Sequence, residues 1–138
     1  MSVTAIVPTL NEEENIQACL ESLAWADRRV VFDCYSTDQT VQLARHAGVD
    51  VLQHPFEDYA QFHNAAMDRV EASWILFVDA DERVTPELAA EIEAVTAADP
   101  EEVLWWIPRH NYIFGRLTKG AGWYPDYQPR LLRPHHVR

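Results

Sequence analysis

Asp79, Ala80, Asp81 and Glu82 put three carboxylates into four residues, directly after the apolar run Trp74 to Val78. A short run of that kind, rich in aromatic and β-branched residues, reads as a strand buried on both faces. Carboxylates at its end cannot stay in a dry interior, because an unpaired buried charge costs too much. They have to emerge at a sheet edge, where open α/β sheets bind their ligands. In extended chain, residues two apart point the same way, so Asp79 and Asp81 are expected to face one point, with little bulk from Ala80. Two hard oxygen donors converging there suit Mg²⁺ or Mn²⁺, with water and a substrate phosphate completing the shell. The plain alternative is a solvated acidic loop that caps the following helix.

Two further polar clusters follow strands in the same manner. Val3 to Val7 is a β-branched strand stopped by Pro8, after which come Thr9, Asn11 and Glu12 to Glu14. Asn11 with Glu14 three residues later has the form of a capping box, and Ile16, Cys19, Leu20 and Leu23 mark one helix face. Val30 to Phe32 ends in Asp33, and a turn through Cys34 leads to Asp38, which has the residue type of an N-cap. The helix after it stops at Gly48. A third strand spans Val49 to Leu52, a helix runs from near Asp58 to Val70, and Thr85-Pro86-Glu87 starts a helix that reaches about Ala98.

The alternation β-α-β-α-β-α-β-α predicts a mainly parallel sheet flanked by helices. Parallel strands bring the polar ends of the first, second and fourth strands to one edge. Beyond Pro100 the texture changes to mixed strands and an aromatic segment. Residues 1–108 therefore read as one α/β region and 109–138 as the start of a further region of the same domain; the family resemblance set out below implies that the first is donor-binding and the second acceptor-side. Trp105 and Trp106 read as core. Trp123, Tyr124 and Tyr127, among glycines and prolines, read equally as an acceptor-facing loop or as packing. His135 and His136 read as a frayed end.

The 138 residues suffice for one domain with a real core, and 48% hydrophobic with 24% charged residues is ordinary for a globular protein. A net charge of −11 argues against nucleic-acid binding. From residue 109 onward six basic residues face one acid, a local +5, against −16 before it. Such a segment suits an anionic acceptor, phosphates or peripheral contact with the inner face of a cytoplasmic membrane. Cys19 and Cys34 form neither a disulfide framework nor a zinc pattern. Without a recognisable leader or a membrane span, the expected location is cytoplasmic.

These motifs carry a resemblance. Val7-Pro8-Thr9-Leu10-Asn11-Glu12-Glu13, Val31-Phe32-Asp33-Cys34-Tyr35-Ser36-Thr37-Asp38 and Phe77-Val78-Asp79-Ala80-Asp81-Glu82 resemble glycosyltransferase family 2, which has the GT-A fold. Phe56-Glu57-Asp58-Tyr59-Ala60, Asn111-Tyr112 and Gly122 to Gln128 are similar to its branch of lipopolysaccharide-core β-1,4-glucosyltransferase-like proteins. The resemblance implies an inverting, metal-dependent transfer of a hexose, glucose favoured. The donor would be a nucleoside-diphosphate sugar such as UDP-glucose, and the acceptor a saccharide or glycolipid such as lipopolysaccharide core.

It implies that Pro8, Thr9, Asn11 and Glu12 line the nucleotide pocket and that Asp33 and Asp38 sit beside base and ribose. Asn64 would shape the donor site. Asp81 would be the main metal ligand, with Asp79 contacting the ribose or the metal and its waters, and Ala80 would join both in binding the nucleotide sugar. Many family members carry a second Asp where this chain has Cys34, and a basic residue where it has His63. The family's general base usually lies further along than Arg138; Asp126, the one acid after Glu102, is the candidate within this chain. The alternative function is a non-catalytic nucleotide-sugar-binding or interaction module.

Overall fold

A computed structural model describes residues 2–98, 104–110, 113–114, 118–119 and 127–133. The elements in chain order are β1 (Val3–Thr9), α1 (Ile16–Ser22), β2 (Arg28–Asp33), α2 (Thr40–His46), β3 (Asp50–Gln53) and α3 (Tyr59–Arg69). They continue with β4 (Trp74–Phe77), α4 (Pro86–Ala98), β5 (Leu104–His110), β6 (Ile113–Phe114), β7 (Thr118–Lys119) and β8 (Tyr127–Leu132). The sheet order is β3-β2-β1-β4-β8-β5-β6, with β7 also paired to β5. The first four strands in that order are parallel, while β8 runs antiparallel to both β4 and β5. The expected α/β architecture is thus present, with mixed strands confined to its C-terminal side.

The parallel strands are covered on both faces. Along β1, Val3, Ala5 and Val7 join one buried cluster with Ile16, Cys19 and Leu20 of α1 and Leu88 and Ile92 of α4. Ile6 points into the other, with Phe62, Ala66 and Met67 of α3. This is the period-two alternation of a strand whose two faces are both dry. All four residues of β4 are buried. Each such side chain contributes roughly 1.5–3 kcal/mol through burial. Where β8 leaves β4, the Arg133 guanidinium lies 4.6 Å from the centre of the Trp74 ring.

The local signals behave as their chemistry requires, with instructive exceptions. Thr85 Oγ1 accepts from Leu88 N at 3.1 Å, capping α4 ahead of Pro86. Gly48, with φ +78°, follows α2 in the left-handed conformation that only glycine adopts cheaply. Pro8 does not stop β1, which continues to Thr9. The β1–β4 pairing ends at Ile6↔Phe77, so the donor missing from Pro8 removes no rung on that side. Asn11 is not the cap of α1. The helix begins at Ile16, and Asn15 precedes it. Asn11 is instead drawn away by a competing set of donors, described below.

No helix among the described residues is long and apolar enough to cross a membrane. Asp58 caps α3, its Oδ1 accepting from Gln61 N at 2.8 Å. Asp58→Ala is expected to lower stability by about 1 kcal/mol. Urea unfolding monitored by circular dichroism measures this.

Candidate functional site

A cleft of about 400 Å³ opens where β1, β2 and β4 end. The strand order turns back at this place: β1 connects through α1 to β2 on one side, while β4 lies on the other. Such a switch point is where open α/β sheets leave a crevice. Pro8, Thr9, Leu10 and Glu12 line it from β1 and the loop after it, and Cys34 from the end of β2. Phe56 lines it from the β3–α3 loop, Phe62 and His63 from α3, and Asp79, Ala80 and Asp81 from the segment after β4.

The loops after β1 and β2 are tied together by Asp33. Its side chain is buried, and it accepts from Thr9 Oγ1 at 2.6 Å, Ser36 Oγ at 2.5 Å, Ser36 N at 2.8 Å and Gln53 Nε2 at 3.2 Å. A carboxylate has about four acceptor positions, so this one is filled. Burial would push its pKa up. The hydrogen bonds from Ser36, Thr9 and Gln53 outweigh that and hold it below the ordinary 3.8.

Asn11 supplies a second tie. Its φ of +54° turns the side chain toward the neighbouring loop, where Oδ1 accepts from Thr37 N at 2.8 Å and Asp38 N at 3.3 Å. Two backbone donors of another loop have displaced the capping role its position suggested. Asp38 accepts from Thr40 N at 2.9 Å, Thr40 Oγ1 at 2.5 Å and Glu13 N at 3.1 Å. Those bonds outweigh desolvation and hold its carboxyl below the ordinary range. Asn11, Asp33 and Asp38 therefore tie together the loops after β1 and β2, and none of the three is among the residues that line the cleft.

The acidic segment is built differently from a strand end. β4 stops at Phe77, and Asp79 to Glu82 form a turn in which Glu82 N donates to Asp79 O at 2.9 Å. The buried Glu82 carboxylate accepts from Asp79 N at 2.8 Å. Arg83 Nη1 donates to Ala80 O at 3.0 Å, and Ser22 Oγ of α1 accepts from Val84 N at 3.2 Å. The Cys19 thiol donates to Asp79 O at 3.6 Å. Burial raises its pKa to about 12, so it remains a protonated donor. Asp79 and Asp81 reach the same cleft through this turn, not through strand alternation. Among the described residues no third His, Cys, Asp or Glu joins them in a metal-ligating cluster. Asp79 and Asp81 are both half-buried, and carboxylate oxygens are hard donors of the kind that Mg²⁺ and Mn²⁺ prefer.

Pro8, Thr9, Glu12, Asp79, Ala80 and Asp81 are thus brought together, while Asn64 lies half-buried on α3 beside the lining residues Phe62 and His63. Phe56, Phe62 and His63 were given no site role by sequence reasoning; the available signal was the aromatic spacing around Asp58. Asp126, Trp123, Tyr124, His135, His136 and the side chains of Trp105, Trp106 and Tyr127 lie outside the described residues.

The model of the family described as Glycosyl transferase family 2 matches residues 4–135. The lipopolysaccharide core biosynthesis glycosyltransferase LpsC of Rhizobium meliloti (strain 1021) is 31% identical over 120 residues, covering 83% of this chain and 44% of that protein. The crystal structure of S. aureus TarS 1–349 superposes with a TM-score of 0.67 at 23% identity, over 97% of this chain and 47% of that one. Its complex with UDP superposes with a TM-score of 0.56 at 30% identity, over 71% and 32%. Glucosyl-3-phosphoglycerate synthase from Mycobacterium tuberculosis, in complex with Mn²⁺, UDP and glucosyl-3-phosphoglycerate, has a TM-score of 0.59 at 19% identity, over 75% and 42%. The chain spans less than half the length of the curated relatives it matches. It belongs to glycosyl transferase family 2.

Two outcomes follow from the site's geometry. Native alkylation is expected to modify Cys34, which lines the cleft, and to spare buried Cys19; peptide mass spectrometry reads the difference. Because the folded pKa of Asp33 is depressed, its stabilisation is complete above the unfolded value near 3.8 and is lost as pH falls through the folded value. Asp33→Ala, which strands donors around a closed space, is expected to cost roughly 2 kcal/mol or more at pH 7 and less in acid. Urea unfolding at pH 7 and pH 3 measures both.

Proposed function

We propose that, as a member of glycosyl transferase family 2, this chain forms the donor side of a metal-dependent inverting glycosyltransferase. The transferred group is a hexose, with UDP-glucose the favoured donor, and the acceptor is a saccharide or glycolipid such as lipopolysaccharide core. The observation that carries this reading is the shared cleft: Asp79 and Asp81 from after β4 and Thr9 and Glu12 from after β1 all line it. The UDP complex of TarS and the Mn²⁺–UDP complex of the synthase support the donor class and the cation, and the likeness to LpsC supports the acceptor class.

The cleft has two chemically distinct ends. Strand order β2-β1-β4 separates Cys34 from Asp79 by two strand spacings, about 10 Å. Phe62 packs on Phe32 of β2 at 4.8 Å, and His63 on Phe77 of β4 at 4.5 Å. The base and ribose lie toward β2 and the diphosphate toward Asp79 and Asp81. Asp81 would be the principal residue to hold the cation, and Asp79 would contact it or the ribose. When bound, a divalent cation stabilises the charge that grows on the leaving diphosphate.

The acceptor hydroxyl attacks the anomeric carbon from the face opposite the diphosphate. The bond from that carbon to the phosphate oxygen breaks, and the configuration inverts. A base takes the hydroxyl proton, and Asp126 is the candidate within this chain. The basic segment from residue 109 suits an anionic acceptor at the inner face of a cytoplasmic membrane.

Mn²⁺ is expected to strengthen UDP binding by roughly tenfold or more. Asp81→Ala should remove that dependence while circular dichroism stays unchanged. Equal UDP affinity with and without Mn²⁺ by isothermal titration calorimetry would defeat this reading.

A further inference from the structure

We infer that this donor site selects its nucleobase by stacking on Phe56 and by shape, not by hydrogen bonds from acidic side chains, and therefore accepts purine as well as pyrimidine nucleoside diphosphates. The inference rests on the donor-site reading above and adds the basis of its base selectivity.

At the β2 end the cleft is walled by Leu10, Cys34, Phe56 and Phe62. Glu12, which also lines the cleft, accepts from Asn15 Nδ2 at 3.1 Å, and Asp33, which precedes Cys34, is buried and already accepts from Thr9, Ser36 and Gln53. Turning it toward a base would strand those donors, at roughly 1–3 kcal/mol for each buried group left unpaired. The backbone N–H of Cys34 is also committed, donating to Thr9 O at 2.8 Å. Leu10, Cys34, Phe56 and Phe62 offer a base chiefly apolar surface.

That surface is unusually open. Leu10 is 56% exposed and Phe56 47% exposed, and both are among the three most exposed large hydrophobic residues described. Both border this one cleft. Phe56 is backed by Phe62 at 5.7 Å between ring centres, and Phe62 in turn by Phe32 at 4.8 Å. Exposed apolar surface that is held in place, next to a concavity, marks a binding site. A flat base laid on Phe56 would cover it. Every base offers a π-face, so stacking discriminates weakly. A site that hydrogen-bonds one particular edge can discriminate by about 10⁴-fold or more.

Isothermal titration calorimetry with Mn²⁺ present tests this on the whole chain, using UDP, CDP, GDP, ADP and inorganic pyrophosphate. The four nucleotides are expected to bind within about tenfold of one another, and all more tightly than pyrophosphate. Phe56→Ala should weaken every nucleotide by about tenfold or more, leave pyrophosphate unchanged and keep the circular dichroism spectrum, since Phe56 is about half exposed and outside the buried core. Phe56→Trp should restore binding. A preference for UDP beyond 100-fold, or nucleotide affinities untouched by Phe56→Ala, overturns the inference while the diphosphate site stands. If neither nucleotides nor pyrophosphate bind, the donor-site reading itself falls and takes this inference with it.

Discussion

A carboxylate closed off from water has to be given donors, and the way Asp33 obtains them determines much of what surrounds the cleft. Thr9 comes from β1, Ser36 from the loop after β2 and Gln53 from the end of β3. One side chain therefore joins the ends of three adjacent strands. Asn11 reinforces the joint by taking two backbone donors from the β2–α2 loop. Its left-handed backbone is a local cost of order 1–2 kcal/mol, and it is held there by contacts from outside its own loop. The result is a rim whose position is set by satisfied polar groups, against which the cleft-lining residues are placed.

The acidic turn after β4 obeys the same economy. Of its acids, Glu82 is turned inward and holds the turn through Asp79 N, whereas Asp79 and Asp81 reach the cleft. Support also comes from α1, through Cys19 and Ser22. Cys19 can act as a donor only while protonated, and its burial guarantees that. The buried thiol is thus one of the contacts that fix Asp79. Glu82 and Asp33 shape the frame through the donors they accept from, and Asp79 and Asp81 line the cleft in front of it.

The sequence displayed the fold well where the signal is local. The alternation of elements, the Thr85-Pro86 start of α4, the capping Asp58 and the stop at Gly48 all follow from backbone chemistry within a few residues. It concealed what depends on distant partners. Asn11 carries a sound capping pattern, but Thr37 and Asp38, some 26 residues on, compete successfully for its oxygen. The final strand β8 inserts between β4 and β5, a pairing that no periodicity in 127–132 encodes. For the site, Asp79 and Asp81 were expected to face one way along a strand; both line the cleft, but β4 ends at Phe77 and a turn carries them there. Phe56, Phe62 and His63 were missed as lining residues because an aromatic on a helix or loop looks the same in sequence whether it packs inward or faces a cleft.

The contribution of α3 joins these strands of reasoning. Phe62 and His63 are neighbours in the chain, yet they pack on different strands, Phe32 of β2 and Phe77 of β4. The helix therefore spans the cleft from its apolar end to its acidic end. A slide of α3 along its axis would break both contacts at once, and the buried Ala66, Met67 and Val70 would lose their places against Ile6 and Ile75. Close-packed interiors resist such shifts. The distance between the two ends of the cleft is thus held by the core beneath α3, which is how a packed helix with no carboxylate in the cleft helps to set the length of ligand the site can take.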